Sequence, residues 1–167
     1  VEYGYRNKVE FSFWFYTESQ KLSLAFFRRG SHGKIMIDGT SLATDAINAK
    51  GREIVAVLND MGVIGRDLKT LLIRSAADGS LSWQLYVKEE TFDVDTFMSN
   101  LEANDNGEVI FSNPKSPASV ITKRLTEPTR PLSDTLLDIP FHYATEGFFQ
   151  INLPVYSRAL LDMKSWV

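Results

Sequence analysis

The sequence predicts an α+β fold with a largely antiparallel sheet of hairpins, two packed helices and a C-terminal helix. Three observations support this prediction. Short runs alternate apolar or aromatic residues with polar ones, which is typical of half-buried strands. Asp78 and Gly79 separate two such runs and can adopt the positive φ angles of a tight hairpin turn. Between residues 43 and 61, apolar residues recur at helical spacing.

The first part of the chain predicts three strands. Residues 9–16 are rich in aromatics, residues 22–27 are again apolar, and residues 34–37 form a third short run. The polar residues 17–20 make a turn, so the first two strands are expected to pair as a hairpin. Residues 28–33 predict a flexible, basic loop.

A helix follows this hairpin. Ser41 or Thr44 can cap its start, it is expected to run to about Met61, and Gly62 supplies a stop. Gly51 is expected to weaken the middle of the helix.

The centre of the chain predicts a second hairpin and a second helix. Residues 68–75 and 82–88 form the hairpin, on either side of Asp78 and Gly79. A second helix is expected to begin at Asp93 or Asp95 and to end near residues 104–107.

The last third is less regular. Residues 108–112 predict a strand, and residues 113–131 hold four of the six prolines in a long, basic excursion with a possible strand at 120–124. Residues 135–143 predict one more strand. A final helix is expected from Pro154 to about Lys164, because proline suits the first helical turn.

Composition bounds the class of protein. The 167 residues are 44% hydrophobic, enough for one good core. Because there is no cysteine, neither disulfides nor thiolate metal sites can form, and two histidines alone predict no metal site. No apolar run approaches the length of a membrane helix, and no export signal is visible, so the cytoplasm is the expected location and no membrane partner is expected. The chain does not begin with methionine, and we expect it to be a fragment.

Charge is distributed unevenly along the chain, although the formal net charge is −3. Residues 1–34 contain six basic and three acidic residues, whereas residues 84–110 contain one basic and seven acidic residues. Such asymmetry can hold a polyanion on one face and repel it from another. A solvated basic face without a ligand is the alternative interpretation.

Two stretches resemble an RNA-modifying enzyme. The opening YGYRNKVEFSF (3–13) and LAFFRRGSHGKIMID (24–38), followed by an apolar helix, resemble the central domain of the RNA 5-methyluridine (uracil-C5) methyltransferase family. Phe148, Gln150 and Asn152 match the F-x-Q-x-N segment that precedes the S-adenosylmethionine domain in that family. The resemblance implies a central RNA-recognition domain at residues 1–140. Residues 141–167 would then be a connecting F-x-Q-x-N strand and a helix leading into an absent methyltransferase domain.

The resemblance also implies a reaction. In this family a cysteine adds to C6 of a flipped-out uracil, C5 takes a methyl group from S-adenosylmethionine, and a carboxylate removes the C5 proton. Phe148 would pack against the base or the cofactor side of the pocket, and Gln150 would hydrogen-bond the uracil edge. Because the catalytic cysteine and the cofactor motifs are absent, the fragment alone is expected to be inactive. The alternative is that Phe148, Phe149 and Ile151 are core and that Gln150 is an ordinary surface residue.

RNA is the expected partner, either tRNA or rRNA, and no obligate protein partner is evident. The candidate RNA contacts are the basic residues of the opening hairpin, with two more from the proline-rich excursion: Arg6, Lys8, Arg28, Arg29, His32, Lys34, Lys123 and Arg124. For Arg6 and Lys8, pairing with Glu10 or a helix C-terminus is an equally open interpretation.

Some family members hold an iron-sulfur cluster through cysteines. Thr40 stands about where one of those cysteines would lie, so no cluster is expected. Two other functions stay open for the chain as a whole. It could be a non-catalytic α+β module that binds RNA or protein, or a structural domain without a ligand.

Overall fold

The structure is a computed structural model that describes residues 3–166. Its elements, in chain order, are β1 (Lys8–Tyr16), β2 (Lys21–Phe27), β3 (Lys34–Ile37), α1 (Asp45–Asp60), a 3₁₀ turn (Gly65–Asp67), β4 (Leu68–Ser75), β5 (Leu81–Val87), α2 (Val94–Ser99), β6 (Gly107–Phe111), β7 (Lys123–Arg124), β8 (Leu132–Leu136), β9 (Ile139–Tyr143) and α3 (Leu153–Lys164). Seven strands form one sheet in the order β3-β2-β1-β4-β5-β6-β7, and β8 pairs with β9. Only the β5–β6 pair among these is parallel. The predicted α+β fold with a largely antiparallel sheet is therefore confirmed.

One face of the large sheet packs against α1 and α2, and we call it the helix face. Alternation along β1 directs Val9, Phe11 and Phe13 to this side, where they join apolar residues of the neighbouring strands and of both helices. Trp83 of β5 is fully buried there and meets Phe97 of α2 edge-on, with 5.8 Å between ring centroids. Each large side chain buried in this way contributes about 1.5–3 kcal/mol to stability.

The first helix begins and ends as the sequence predicts. The Thr44 hydroxyl accepts a hydrogen bond from the Ile47 amide at 3.4 Å, and Gly62 follows the last turn with φ of 69°. A Cβ atom added to Gly51 would lie 3.0 Å from Leu24 Cδ1. This glycine therefore lets α1 approach β2 closely, which offsets its low helix propensity.

The prediction of a single strand at residues 135–143 is wrong. Those residues belong to the β8–β9 hairpin, which turns at Leu137 and Asp138. Both turn residues have positive φ, 47° and 66°, as a type I′ turn requires. The sequence conceals this turn because type I′ turns usually carry Asn-Gly or Asp-Gly.

Three other boundaries differ from the prediction. The second helix ends at Ser99 rather than near residues 104–107, and the strand in the basic excursion is limited to β7. Residues 144–152, expected to include a connecting strand, form no strand. Side chains of Asn7, Lys8 and Arg74, rather than a neighbouring strand, bind several of their carbonyl groups.

Gly107 is expected to be essential for packing. It lies beside Trp83 across the β5–β6 pair, and an added Cβ would overlap the buried indole ring. We predict that Gly107→Ala lowers the free energy of unfolding by about 1–3 kcal/mol in urea denaturation. Gly33→Ala is the control, because its Cβ would meet only Ser31 Oγ at 3.4 Å and Arg28 Cδ at 3.7 Å. Equal stability of the two variants would contradict this account of the core.

Candidate functional site

The sheet face turned away from α1 and α2 is rich in polar and aromatic side chains, and we call it the polar face. The same alternation that fills the helix face places on it Lys8, Glu10, Ser12, Trp14 and Tyr16 of β1. Neighbouring strands add Phe27, Lys34, Met36, Thr70, Leu72, Arg74, Ser82, Gln84, Tyr86, Glu108 and Arg124. The part of this face formed by β4, β5 and β6 is buried, whereas Trp14, Tyr16, Phe27 and Met36 leave its β1–β3 end exposed to a ligand.

A buried carboxylate organises one end of the polar face. Glu108 is fully buried and pairs with the Arg124 guanidinium through a short contact. Gln84 Nε2 donates to Glu108 Oε1 at 2.6 Å and to Glu146 Oε2 at 2.8 Å, while Arg124 also reaches Glu146 at 3.2 Å. The hydroxyl of Tyr86 donates to Gln84 Oε1 at 2.9 Å. This network fixes Glu146, which begins the stretch leading into the F-x-Q-x-N residues.

The pKa values of Arg124 and Tyr86 are both raised, as their contacts in this network lead one to expect. The hydrogen bond from Arg124 to Glu108 raises the pKa of the arginine. Burial, followed by the nearby charges of Glu146 and Glu108, raises the pKa of Tyr86. Tyr86 therefore keeps its proton and remains a hydrogen-bond donor to Gln84.

Two basic residues of the sheet, and Asn7 just before β1, bind the backbone that follows β9. Lys8 Nζ donates to the carbonyl oxygens of Glu146 at 2.9 Å and Gly147 at 3.4 Å. Arg74 binds the Ala144 carbonyl at 2.9 Å, and Asn7 Nδ2 binds the Gln150 carbonyl at 3.0 Å. Residues 144–152, which we call the clamped segment, are thus attached to the sheet without being a strand.

Burial and the neighbouring Arg74 guanidinium lower the pKa of Lys8, although Glu10 and Glu146 act in the opposite direction. Lys8 does not form the ion pair with Glu10 that the sequence left open. Its amine instead binds two backbone carbonyls of the clamped segment.

The two phenylalanines of the clamped segment have opposite environments. Phe148 is 89% exposed, so the alternative that it belongs to the core is wrong. Phe149 stacks on Tyr143 with 4.3 Å between ring centroids and packs with the small cluster around it, as that alternative expected. Gln150 is half-buried, and its side chain makes no hydrogen bond within residues 3–166. The segment therefore offers an aromatic ring and an amide whose donors and acceptor are available.

Asn152 begins the last helix. Its Oδ1 accepts a hydrogen bond from the Val155 amide at 3.3 Å, which caps α3. The asparagine of the F-x-Q-x-N motif thus has a local structural role here.

The basic residues predicted as RNA contacts fall into separate groups. Arg28, Arg29 and His32 are exposed together in the β2–β3 loop, and within the described residues no carboxylate pairs with them. The loop is closed by a 2.7 Å hydrogen bond from the Arg28 amide to the Gly33 carbonyl. Lys34 follows on the polar face, where Nζ donates to the Phe13 carbonyl at 3.0 Å.

The other predicted contacts are engaged within the protein. Lys123 pairs with Glu90 at 2.6 Å, Arg124 belongs to the Glu108 network, and Lys8 binds the clamped segment. The Arg6 backbone bonds to Leu42 at 2.8 Å, and its side-chain Nε is buried without a hydrogen-bond partner within the described chain. Within the described residues, the loop residues and Lys34 lie close together without a paired carboxylate, and Arg6 and Lys8, elsewhere, also make no ion pair.

The structure also shows a cleft that the sequence did not predict. It has a volume of about 460 Å³ and is lined on the polar face by Lys34, Lys69, Lys88, Glu10 and Phe27, among others. Strand alternation alone would assign Lys69 to the helix face. A pairing irregularity between Leu68 and Thr70 breaks that alternation, so a bulge is the signal that sequence reasoning lacked.

Comparison with known proteins yields a similarity of structure. No protein-family model matches the sequence, and no curated protein matches it. The crystal structure of Pyrococcus abyssi tRNA (uracil-54, C5)-methyltransferase in complex with S-adenosyl-L-homocysteine has a similar fold, with a TM-score of 0.69 and 15% sequence identity. The match covers 100% of this chain and 42% of that one. The chain therefore has a fold related to part of that enzyme.

Residues 3–166 contain no helix long and apolar enough to cross a membrane. Nor do they contain three His, Cys, Asp or Glu residues grouped so that they could hold a metal ion.

Removing the Glu146 carboxylate from the Glu108 network is expected to weaken the attachment of the clamped segment to the sheet. Glu146→Ala removes the carboxylate that Arg124 and Gln84 share, so we predict a loss of about 1–2 kcal/mol in the free energy of unfolding and faster amide hydrogen exchange in residues 144–152. Glu127→Ala is the control, since that exposed carboxylate has no side-chain partner within the described residues. Unchanged exchange in Glu146→Ala would show that the network does not hold the segment.

Proposed function

We propose that this chain is the RNA-recognition part of an S-adenosylmethionine-dependent RNA uracil-C5 methyltransferase. The observation that carries the proposal is the fold match along the whole chain to 42% of a tRNA (uracil-54, C5)-methyltransferase. The opening motif and the F-x-Q-x-N residues support it independently of the fold. In this proposal residues 1–140 recognise RNA, and residues 141–167 connect to the methyltransferase domain.

The clamped segment would supply one wall of the base pocket. Phe148 presents an open aromatic face, and stacking of a base on such a face is worth about 1–3 kcal/mol. Gln150 presents an amide that can donate to and accept from a uracil edge. Because Lys8, Asn7 and Arg74 bind the backbone of the segment, both side chains project from a fixed base.

The basic loop would contact the RNA backbone. Arg28, Arg29 and His32 are exposed beside Lys34, and unpaired charges of this kind bind phosphates without reading sequence. In our proposal, Arg6, Lys8, Lys123 and Arg124 contribute outside this loop, and β7 with Lys123 and Arg124 lies at the opposite edge of the sheet from β3. Lys8 and Arg124 would act through the segment that they position.

No residue of this chain is assigned to catalysis or to the cofactor. The chain has no cysteine to serve as nucleophile. Its one described parallel strand pair is β5 with β6, and residues 88–93, which follow β5, contain no glycine for a cofactor-binding turn. These residues do not fit S-adenosylmethionine, so methyl transfer would belong to the rest of the parent protein. The target, in tRNA or rRNA, would be a cytoplasmic substrate.

The loop provides a direct test of RNA recognition. We predict that the chain binds a fluorescent RNA hairpin and that affinity falls steeply with salt. The double variant Arg28→Ala, Arg29→Ala should weaken binding for all RNA sequences and reduce the salt slope by about 1–2, because up to two phosphate contacts are lost. Arg52→Gln on α1 is a control from the other side of the sheet. Unchanged affinity and slope would remove the loop from the interface.

The neighbouring phenylalanines are expected to separate function from stability. Phe148→Ala should leave the melting temperature unchanged, because the ring is exposed, and should weaken binding of a hairpin with an unpaired uridine about fivefold or more. Phe149→Ala should lower the melting temperature, because it removes the stack on Tyr143. Thermal unfolding and fluorescence anisotropy measure the two effects. A loss of stability in Phe148→Ala without an effect on RNA would contradict the assigned roles.

A further inference from the structure

We propose that the cleft beside Lys34, Lys69 and Lys88 binds a nucleotide of a single-stranded RNA segment, with its phosphate among the lysines and its base on Phe27. This inference rests on the proposed function, because it names the part of an RNA substrate that this face takes. It adds a third point of contact, which is distinct from Phe148 and adjoins the β2–β3 loop through Phe27 and Lys34.

The cleft carries uncompensated positive charge. Three lysine amines line it with one carboxylate, that of Glu10. Thr70 Oγ1 donates to Glu10 Oε1 at 3.1 Å, and the Ser119 hydroxyl also bonds to that oxygen. No ion pair to these three lysines occurs within the part of the chain that the structure describes. An anion entering the cleft would meet a local excess of positive charge.

The three lysines differ in how many of their amine donors remain available for a phosphate. Lys69 Nζ donates to Ser112 Oγ at 2.8 Å, the Asn113 carbonyl at 2.9 Å and Ser116 Oγ at 3.0 Å, so its three donors are used and it contributes charge. Lys34 Nζ has one recorded acceptor, the Phe13 carbonyl, which leaves donors for a phosphate oxygen. The side chain of Lys88 makes no hydrogen bond within residues 3–166.

In the free protein, burial and a neighbouring positive charge disfavour the protonated form of two of these lysines. Burial, and after it the charge of Lys88, lowers the pKa of both Lys34 and Lys69. A bound phosphate would reverse this effect, because an opposite charge favours the protonated amine. The free protein therefore holds these amines at a cost in stability that an anionic ligand would offset.

An exposed aromatic side chain in the lining of the cleft favours RNA over a plain anion. Phe27 is 59% exposed, and Lys34 Nζ lies 5.1 Å from its ring centroid. Trp14 and Tyr16 are exposed on the same face of the adjacent strand. A phosphate-binding amine next to an open ring is the pairing by which proteins bind single-stranded nucleic acids. A volume of about 460 Å³ is within the range of pockets that hold small organic ligands.

The test uses a 5′-labelled ten-nucleotide oligouridylate and the whole chain, at two salt concentrations. Lys88→Gln removes one charge and no hydrogen bond, so it should weaken binding about three- to tenfold and flatten the salt slope by about 0.7. Phe27→Leu should weaken binding about fivefold or more with little change in slope. Arg52→Gln, which removes one charge on the other side of the sheet, should change neither quantity. Lys88→Gln should not lower the melting temperature, because it relieves repulsion.

Each outcome distinguishes the cleft from the proposed function. If the chain binds RNA and the cleft variants behave like Arg52→Gln, the cleft inference is overturned and the proposed function stands. If inorganic phosphate at matched ionic strength displaces the oligouridylate completely at millimolar concentration, the cleft is an anion site and the RNA assignment fails. If the oligouridylate does not bind at low salt but the RNA hairpin does, the cleft inference fails alone. If neither the oligouridylate nor the RNA hairpin binds at low salt, both proposals fail.

Discussion

Glu108 places a carboxylate in the interior of the protein. Several side chains of the polar face are arranged so that they compensate this buried negative charge. A buried, unpaired charge costs several kcal/mol, so Glu108 requires both the guanidinium of Arg124 and the amide of Gln84. The same two side chains bind Glu146, which lies 38 residues further along the chain than Glu108. One buried charge on β6 thereby connects the short strand β7, the strand β5 and the clamped segment. The position of Phe148 depends on this connection.

The acidic stretch of the sequence has a related role. Lys50 of α1 binds Asp105 at 2.9 Å, Lys123 binds Glu90 and Arg124 binds Glu108. Basic residues from elsewhere thus neutralise part of the negative charge between residues 84 and 110, while the loop residues Arg28 and Arg29 remain unpaired within the described chain. The asymmetry along the sequence becomes an asymmetry between groups of side chains. One group stabilises the fold, and the other is available to a ligand.

Local sequence patterns predicted most of the fold but not the site. Alternation located β1 and β2, and the spacing of apolar residues located α1, because these signals depend on near neighbours. The β8–β9 turn was missed since Leu137 adopts a conformation that its residue type disfavours. Lys69 was missed because a bulge redirects it, and the hold of Lys8 on residues 146 and 147 joins parts of the chain that no local pattern relates. The exposure of Phe148 beside the half-buried Phe149 could not be predicted, because the two residues are adjacent and identical.

Helices α1 and α2 cover one face of the sheet, and we propose that the exposed β1–β3 end of the polar face and the clamped segment hold RNA. The most direct measurement is amide hydrogen exchange across the chain, with and without a saturating RNA hairpin. We predict slower exchange in the β2–β3 loop, at the polar-face cleft and in residues 144–152, with no change in α1. Protection confined to α1, or no protection at saturation, would contradict the claim.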